Sequence, residues 1–321
     1  MSNKQLDSPG GVSDNRLTVG VVRGGDSEER EISLKTGRAV VEGLEEKPCR
    51  VLEYDTSPDL GSRLEEDGVD CVFIALHGSE GEDGVIQGML DWRDIPYTGP
   101  RTAASALCMD KLMTRQFFDQ VGVETPNWFV LRQDEPVRNK KGFEQLVVKP
   151  RAEGSSIGMS IVEPNELEEA VRAAREYADD VIVEENVEGY EVTVGVVQFD
   201  ELTVLPPVGI RPGHDFFDFE TKYTKGLTEY DVPAELPPDQ RDRLLEDTKS
   251  AVRAAGTESL CRVDYIVDED GTPRLLEINT IPGLTQTSLL PKAARQAGIE
   301  FDELIWGLIE QARRRQQCQA V

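Results

Sequence analysis

"PRLLEINTIPG" (Pro273–Gly283) opens as a buried strand, with Leu275, Leu276 and Ile278 apolar and Ile281 prolonging the run. Side chains of a strand alternate between its faces, so Glu277 and Asn279 project to one side. Glutamate is among the residues least often buried without a partner. Just upstream, "CRVDYIV" (Cys261–Val267) is a second apolar strand, and the intervening "DEDGTP" carries the Asp270-Gly271 pair favoured in hairpin turns. Folding that hairpin brings Asp264 beside Glu277 and Asn279. Two carboxylates and an amide oxygen make a hard oxygen site suited to Mg²⁺, with positions left open for phosphate. An exposed acidic sheet face is the plainer account of Asp264 taken alone. The apolar context of both strands favours the metal, because like charges held among core residues need a cation.

"VVKPRAEGSSIGMS" (Val147–Ser160) supplies the complement. Lys149 ends an apolar strand, and Gly154, Ser155, Ser156 and Gly158 form a loop whose backbone N–H groups can wrap phosphate oxygens. The spacing is not that of a Walker loop. Joined to Lys149 and a Mg²⁺ site, the loop points to ATP.

Toward the N-terminus, "LTVGVVRGG" (Leu17–Gly25) reads as a strand ending in a glycine turn. "EREISLKTGRAVVEGLEE" (Glu29–Glu46) follows with helical spacing of Ile32, Val40, Val41 and Leu44, and "VDCVFIALHG" (Val69–Gly78) is the next strand. Strand, helix, strand is the pattern of an open α/β sheet, which binds ligands at the carboxyl ends of its strands. This first domain runs to about Pro100. Within it, "LHGSEGEDGVIQG" gathers His77, Glu82, Asp83 and Gln87 around glycines. His77 is either a base or ligand or a satisfied structural histidine. Glu29, in "GGDSEEREIS", stands at a helix entry, where a carboxylate complements the dipole.

Further along, "SALCMDKLMTRQFFDQVG" (Ser105–Gly122) reads as a helical stretch, "EQLVVKP" (Glu144–Pro150) as a strand and "NELEEAVRAAREYAD" (Asn165–Asp179) as an amphipathic helix. Its apolar stripe is Leu167, Ala170, Val171 and Ala174. "DVIVEENVEGYEVTVGVV" (Asp180–Val197) gives two strands around a turn. The polar run from Ile210 to Pro238 is too long and too rich in Gly, Pro and aromatics for a plain connector, and reads as a lid or a disordered segment.

The chain has 321 residues, enough for roughly two to three domains. Its net charge of −26 disfavours nucleic acid and anionic membrane surfaces as partners. Cys49, Cys71, Cys108, Cys261 and Cys318 form no CxxC pair, and with 2 histidines a zinc site is not expected. They read as reduced thiols of a cytoplasmic protein. No apolar run approaches the roughly 20 residues of a membrane span, and the polar N-terminus lacks a hydrophobic signal core.

In this order the motifs "GGDSEEREIS", "HGSEGEDGVIQG", "IPYTG", "SALCMDK", "VVKPRAEGSSIGM", "DFETKY", "RVDY" and "EINTIPGLTQTSLLP" resemble the D-alanine–D-alanine ligases of the ATP-grasp superfamily. The similarity runs from about Leu17 to Gln311. It implies a three-domain α/β ATP-grasp fold with an N-terminal open parallel α/β domain. The boundaries are a flexible tail over 1–16, the N-terminal domain over 17–105, a central ATP-grasp domain over 106–190, and a C-terminal ATP-grasp domain over 191–321. The last carries the metal site and a closing loop.

The implied reaction passes the ATP γ-phosphoryl group to one D-alanine carboxylate, and a second D-alanine amine attacks the acyl phosphate, supplying the dipeptide for peptidoglycan. The resemblance makes Lys111 and Lys149 the ATP-phosphate lysines. Glu184, Glu185 and Val187 then fall on the adenine strand and Glu191 on the ribose. Asp264, Glu277 and Asn279 become ligands of two Mg²⁺ (or Mn²⁺) ions. Arg262 and the Gly283 N–H stabilise the acyl phosphate and the tetrahedral intermediate. Glu29 orients the first D-alanine ammonium with Ser155 and Tyr223, while His77, Lys222, Ser288 and Leu289 belong to the substrate site. Tyr223 after Lys222 matches the dipeptide-forming ligases rather than depsipeptide-forming relatives. The family also implies a homodimer. Arg23, Asn186 and Phe219 depart from the family pattern, and Asn186 bears on adenine packing. Another ATP-grasp amino-acid ligase with a changed substrate is the rival reading.

The acidic excess is spread along the whole chain and Arg outnumbers Lys. It reads either as a surface adapted to high salt, where screening removes self-repulsion, or as that of an ordinary acidic protein. Thermal unfolding across a KCl series separates the two. Adaptation to salt requires the highest Tm in molar KCl, and a protein most stable in dilute buffer is the ordinary acidic one.

Overall fold

Strand β1 (Leu17–Val22) is buried along nearly its whole length because a parallel strand flanks it on either side, β2 (Cys49–Tyr54) and β3 (Cys71–Ile74). Such a central position suits the uninterrupted apolar run LTVGVV. The computed structural model describes residues 16–154, 157–212 and 228–318. Helix α1 (Arg30–Leu44) follows β1, α2 (Leu60–Glu66) follows β2, and α3 (Val85–Trp92) follows β3. The buried stripe of α1 is not the wholly apolar one that spacing implies. Val40 and Leu44 are buried, but toward the helix start the stripe continues as Ser33, Thr36 and Gly37, while Ile32 and Val41 are half-buried. The polar positions face the carboxyl end of the sheet, where Ser33 accepts from the Gly24 N–H and donates to the Ala75 carbonyl.

The stretch Ser105–Gly122 forms two helices, α4 (Thr102–Met109) and α5 (Lys111–Val121), rather than one. Asp110 breaks the run with an extended backbone, and its Oδ1 accepts the Met113 N–H at 3.0 Å as the N-cap of α5. The break sets Lys111 at the start of a helix. Arg151 chelates the same carboxylate through Nε and Nη2, tying α5 to the strand that carries Lys149.

Four strands, β4 (Trp128–Leu131), β5 (Leu146–Pro150), β6 (Ser160–Val162) and β7 (Val181–Glu185), make an antiparallel sheet in the order β4-β7-β5-β6. Helix α6 (Leu167–Ala174) covers it with Leu167, Ala170, Val171 and Ala174, the stripe its spacing gives. The next strand, β8 (Gly189–Gln198), does not return alongside β7. It enters a third sheet with β9 (Leu202–Val204), β10 (Val208–Pro212), β11 (Thr228–Asp231), β12 (Leu260–Asp268) and β13 (Pro273–Asn279). The order is β11-β10-β8-β12-β13, with β9 also on β8 and all pairs antiparallel. The turn read between two strands is therefore a crossing between two sheets. Helix α7 (Pro238–Ala255), with α5, packs on the outer face of the third sheet around Phe118, Leu244, Val252 and Val263. After α8 (Leu289–Gln296), the final helix α9 (Phe301–Gln317) returns to the first sheet. Its Leu304, Ile305, Leu308 and Ile309 share one core with Val19, Val21 and Phe73 and with Val197 of β8. The architecture is the expected mixed α/β one, a parallel N-terminal sheet followed by two antiparallel sheets.

The second and third sheets are pinned by a buried ion cluster. Glu184 of β7, 1% exposed, accepts from Arg115 Nε at 2.7 Å through Oε1 and from Lys149 Nζ at 2.7 Å through Oε2. Burial alone would raise this carboxyl; the charges of Arg115 and Lys149 outweigh burial and hold it down at about 2. Its contribution to stability is thus complete above the unfolded value of 4.5 and is lost as pH falls from there toward 2. Glu184→Gln leaves two cations short of a counter-charge and should cost about 3–5 kcal/mol at pH 7. Urea titrations at several pH values should show a constant gap between wild type and variant down to about pH 5, narrowing below pH 4.5.

Candidate active site

The β12–β13 hairpin forms with Arg262 opposite Asn279 and Asp264 opposite Glu277. The pairing then shifts, with Tyr265 opposite Leu275, so that Leu276 is an extra residue in a bulge. Arg262, Asp264, Glu277 and Asn279 share one face, as period two and the turn require. On the neighbouring β8, Thr193 lies opposite Asp264 and Glu191 opposite Ile266. Asp264 is buried; its Oδ1 accepts from Thr193 Oγ1 at 2.5 Å and Arg262 Nε at 2.8 Å, and its Oδ2 from Arg262 Nη2 at 2.7 Å. Among the described residues the buried Asn279 Oδ1 has no hydrogen-bond partner. A buried acceptor without a donor beside two carboxylates could take a cation. Among the described residues no three of His, Cys, Asp and Glu converge on a point. The donor set is two carboxylates and an amide oxygen, hard ligands that fit Mg²⁺ or Mn²⁺.

This face forms one wall of a cavity of about 250 Å³ between the second and third sheets. Lys111, Lys149, Glu184, Glu185, Val187, Glu191, Asp264 and Glu277 all line it. Val147, Met159, Ile161, Ile266 and Leu276 give it an apolar lining, and Gly154 stands at its edge. The lining therefore combines apolar side chains with two ammonium groups and several carboxylates. The Lys111 ammonium donates to the Glu153 carbonyl, and loss of solvent pushes it below the ordinary lysine range despite the nearby Glu277. The Glu184 side chain is wholly engaged by Arg115 and Lys149, and the Glu185 carboxylate accepts from Asn127 N and Nδ2. Asn186 donates its amide to Gln145 Oε1 at 2.6 Å, which fixes it at the cavity wall.

A second group lies where β1 and β3 end. Glu29 is buried at the N-cap of α1, against the two glycines Gly78 and Gly154: a Cβ on either would approach Glu29 Oε2 to 2.9 and 3.1 Å. His77, also buried, meets Thr36 Oγ1 through Nε2 at 3.0 Å and Glu82 Oε1 through Nδ1 at 3.4 Å. Burial raises the Glu82 carboxyl, an effect that His77 opposes and that Glu29 and Glu277 reinforce. The two groups adjoin: Gly154, against Glu29, also lines the cavity, and Thr280, next to Asn279, donates through Oγ1 to the Glu82 carbonyl at 3.5 Å. Gly283 and Ser288 are also adjacent, since a Cβ at Gly283 would stand 3.2 Å from Ser288 Oγ. Ser288 is the N-cap of α8 and Leu289 its first residue, so free N–H groups of that helix start lie beside Gly283.

Ser155, Lys222, Tyr223 and Phe219 lie outside the described residues, as does most of the long polar stretch. Arg23 is accommodated by Gly37, where any Cβ would fall 2.4 Å from Arg23 Cδ, and it pairs with Glu53 at 2.5 Å. Sequence reasoning missed Thr36, Thr193, Arg115 and Arg151. The first two are polar residues on buried faces, a signal that was legible at Thr193 inside the apolar run of β8. Asp110 directly before a helix was a readable cap.

Family models covering the D-ala D-ala ligase N-terminus and C-terminus match residues 53–100 and 117–310. A D-alanine–D-alanine ligase of Pelotomaculum thermopropionicum is 41% identical over 307 residues, spanning 92% of this chain and 96% of the relative. That of Syntrophotalea carbinolica is 43% identical over 288 residues, 89% and 93% of the two chains. Among solved structures, the Bacillus anthracis D-alanine–D-alanine ligase complexed with ATP superposes with a TM-score of 0.82 at 30% identity, covering 94% of this chain and 99% of that one. A D-Ala:D-Ser ligase of Enterococcus faecalis gives 0.80 at 28%, covering 93% and 100%. With both halves matched and relatives this similar over nearly their full length, the chain belongs to the D-alanine–D-alanine ligase family.

Proposed function

We propose that this chain joins two D-alanines at the expense of ATP, making the dipeptide used in peptidoglycan precursors. The observation that carries the reading is that Asp264 and Glu277, on the strand face they share with Asn279, line one cavity with Lys111, Lys149 and apolar side chains. ATP lies there with its base against the apolar side chains near Val187 and Ile266, its ribose at Glu191, and its phosphates at Lys111 and Lys149. Asp264, Glu277 and Asn279 would hold Mg²⁺ or Mn²⁺, which when bound would neutralise phosphate charge.

Glu29, buried against Gly78 and Gly154, takes the ammonium of the first D-alanine, a role in which Ser155 and Tyr223 take part. This leaves the carboxylate of that D-alanine free to attack the γ-phosphoryl group. Arg262 and the Gly283 N–H stabilise the acyl phosphate and then the oxyanion formed when the second amine adds. Ser288, Leu289 and Lys222 receive the second carboxylate at the start of α8, where the helix dipole favours an anion. His77, held between Thr36 and Glu82, faces the same substrates. No protein nucleophile is required, because positioning and charge stabilisation do the work. Residues 17–105, 106–190 and 191–321 act as the three domains, in a cytoplasmic homodimer.

Incubation with ATP, Mg²⁺ and D-alanine should release ADP and D-alanyl-D-alanine in equal amounts. D-serine offered in competition tests the likeness to the D-Ala:D-Ser ligase, and ADP release only with an amino acid other than D-alanine would overturn the substrate. Arg262→Ala should lower kcat by about 10²–10³-fold, the cost of one lost oxyanion donor.

A further inference from the structure

Arg115 belongs to neither the metal face nor the substrate group, yet it is 2% exposed and makes four polar contacts. Two go to Glu184 Oε1, from Nε at 2.7 Å and Nη2 at 2.6 Å. The other two reach the third sheet: Nη1 donates to the Leu275 carbonyl at 3.1 Å and Nη2 to the Leu276 carbonyl at 2.7 Å. Leu275 and Leu276 are the residues at which the β12–β13 pairing shifts, immediately before Glu277. β13 is the last strand of its sheet, so its outward carbonyls have no strand to receive them. The Leu275 N–H is met from the same side by the Glu124 carbonyl at 2.8 Å, just beyond α5.

The position of this bulge decides where Glu277 points. The bulge lets consecutive residues Leu276 and Glu277 both face the cavity; strand side chains otherwise alternate, so in a regular strand continued from Leu275, Leu276 keeps that face and Glu277 turns to the opposite one. A planar guanidinium can hold both carbonyls and the Glu184 carboxylate at once in a fixed fork, which an ammonium cannot do. Since Glu184 also binds Lys149, one rigid chain of contacts runs from the phosphate lysine through Glu184 and Arg115 to the strand of the metal carboxylate.

The geometry points to Arg115 as a positioning residue that locks the β13 bulge and so sets Glu277 opposite Lys149 for a metal-bound nucleoside triphosphate. The assignment of the ligand rests on the function proposed above; the clamp on the bulge does not.

The test compares wild type with Arg115→Lys, which keeps the charge beside Glu184 and loses the fork. Mn²⁺ binding to the ATP-loaded protein, followed by electron paramagnetic resonance, should weaken about 10–100-fold, the usual consequence of losing a group that orients a metal ligand. Binding of ATP without metal should change less than about threefold, since Lys111 and Lys149 are untouched. In parallel, hydrogen exchange of the amides of 276–279 should accelerate at least tenfold while those of β8 stay protected. Equal Mn²⁺ affinity and equal exchange in the two proteins would overturn the proposal. If wild type failed to bind Mn²⁺ and ATP while the exchange difference persisted, the clamp would stand and the ligand reading would fall. Should Arg115→Lys not fold, Arg115→Gln removes the fork while Glu184 stays paired with Lys149, so no buried charge is left without a partner. It must show the same loss of Mn²⁺ affinity and the same faster exchange, and wild-type values for both would refute the clamp.

Discussion

A carboxylate with 1% of its surface exposed stays ionised only if cations replace the water it has lost, and Glu184 has two. Those cations come from different places. Lys149 is on the strand next to Glu184 in the second sheet, whereas Arg115 comes from α5, which lies against the third. The energetic demand of one charge therefore holds together the two sheets that form the cavity. Had the cluster been replaced by apolar residues, the sheets could slide on one another with little penalty, because greasy contacts have no preferred direction. Fixed geometry matters here, since the reacting groups must be held close to their productive separation.

The same logic extends to the site as a whole. Burial raises both Glu82 and Glu153; the charge of Glu29 adds to the effect at each, and that of Glu277 at Glu82. Against them stand Lys111, Lys149 and Arg262. Some of this acid is answered within the protein, as when Arg262 holds Asp264. In the proposed reaction the ammonium of D-alanine adds positive charge at Glu29, and divalent cations would add it at Asp264, Glu277 and Asn279. The lysines in turn receive phosphate. Each ligand then brings the charge its own subsite lacks, which favours the full set of substrates over any one alone.

The metal face was legible in the sequence because its rule is local. Period two along "RLLEINT", an Asp-Gly turn and apolar flanks suffice to bring Asp264, Glu277 and Asn279 together, and the register of the strands agrees. Lys149, near the end of its apolar strand, was legible for the same reason. Arg115 was not, because its partner Glu184 is 69 residues away and the carbonyls it holds are 160 and 161 away. In the sequence it is one more arginine on an amphipathic helix. Thr36 was hidden differently: a polar residue in a helix reads as solvent-facing, and only the return of β3 brings His77 against it. The departure of β8 from β7 was also invisible, since a short turn between two apolar strands looks the same whether they pair or part. The choice depends on what each strand finds to pair with, and for β8 that is β12, more than sixty residues later.

An anionic substrate entering a protein of net charge −26 raises a further question of range. At physiological ionic strength fields decay over about 8 Å, so most of the surface acid is not felt inside the cavity. What a triphosphate meets at close quarters is Lys111 and Lys149, in surroundings drier than the surface, where each charge acts more strongly. The lowered Lys111 fits this view: burial has removed much of its water, so a phosphate that restores a counter-charge regains what solvent no longer supplies. Surface acid and site cation thus work at different distances. The first disfavours nucleic acid at long range, and the second, in the proposed reaction, favours within a few ångströms a ligand that brings both phosphate and metal.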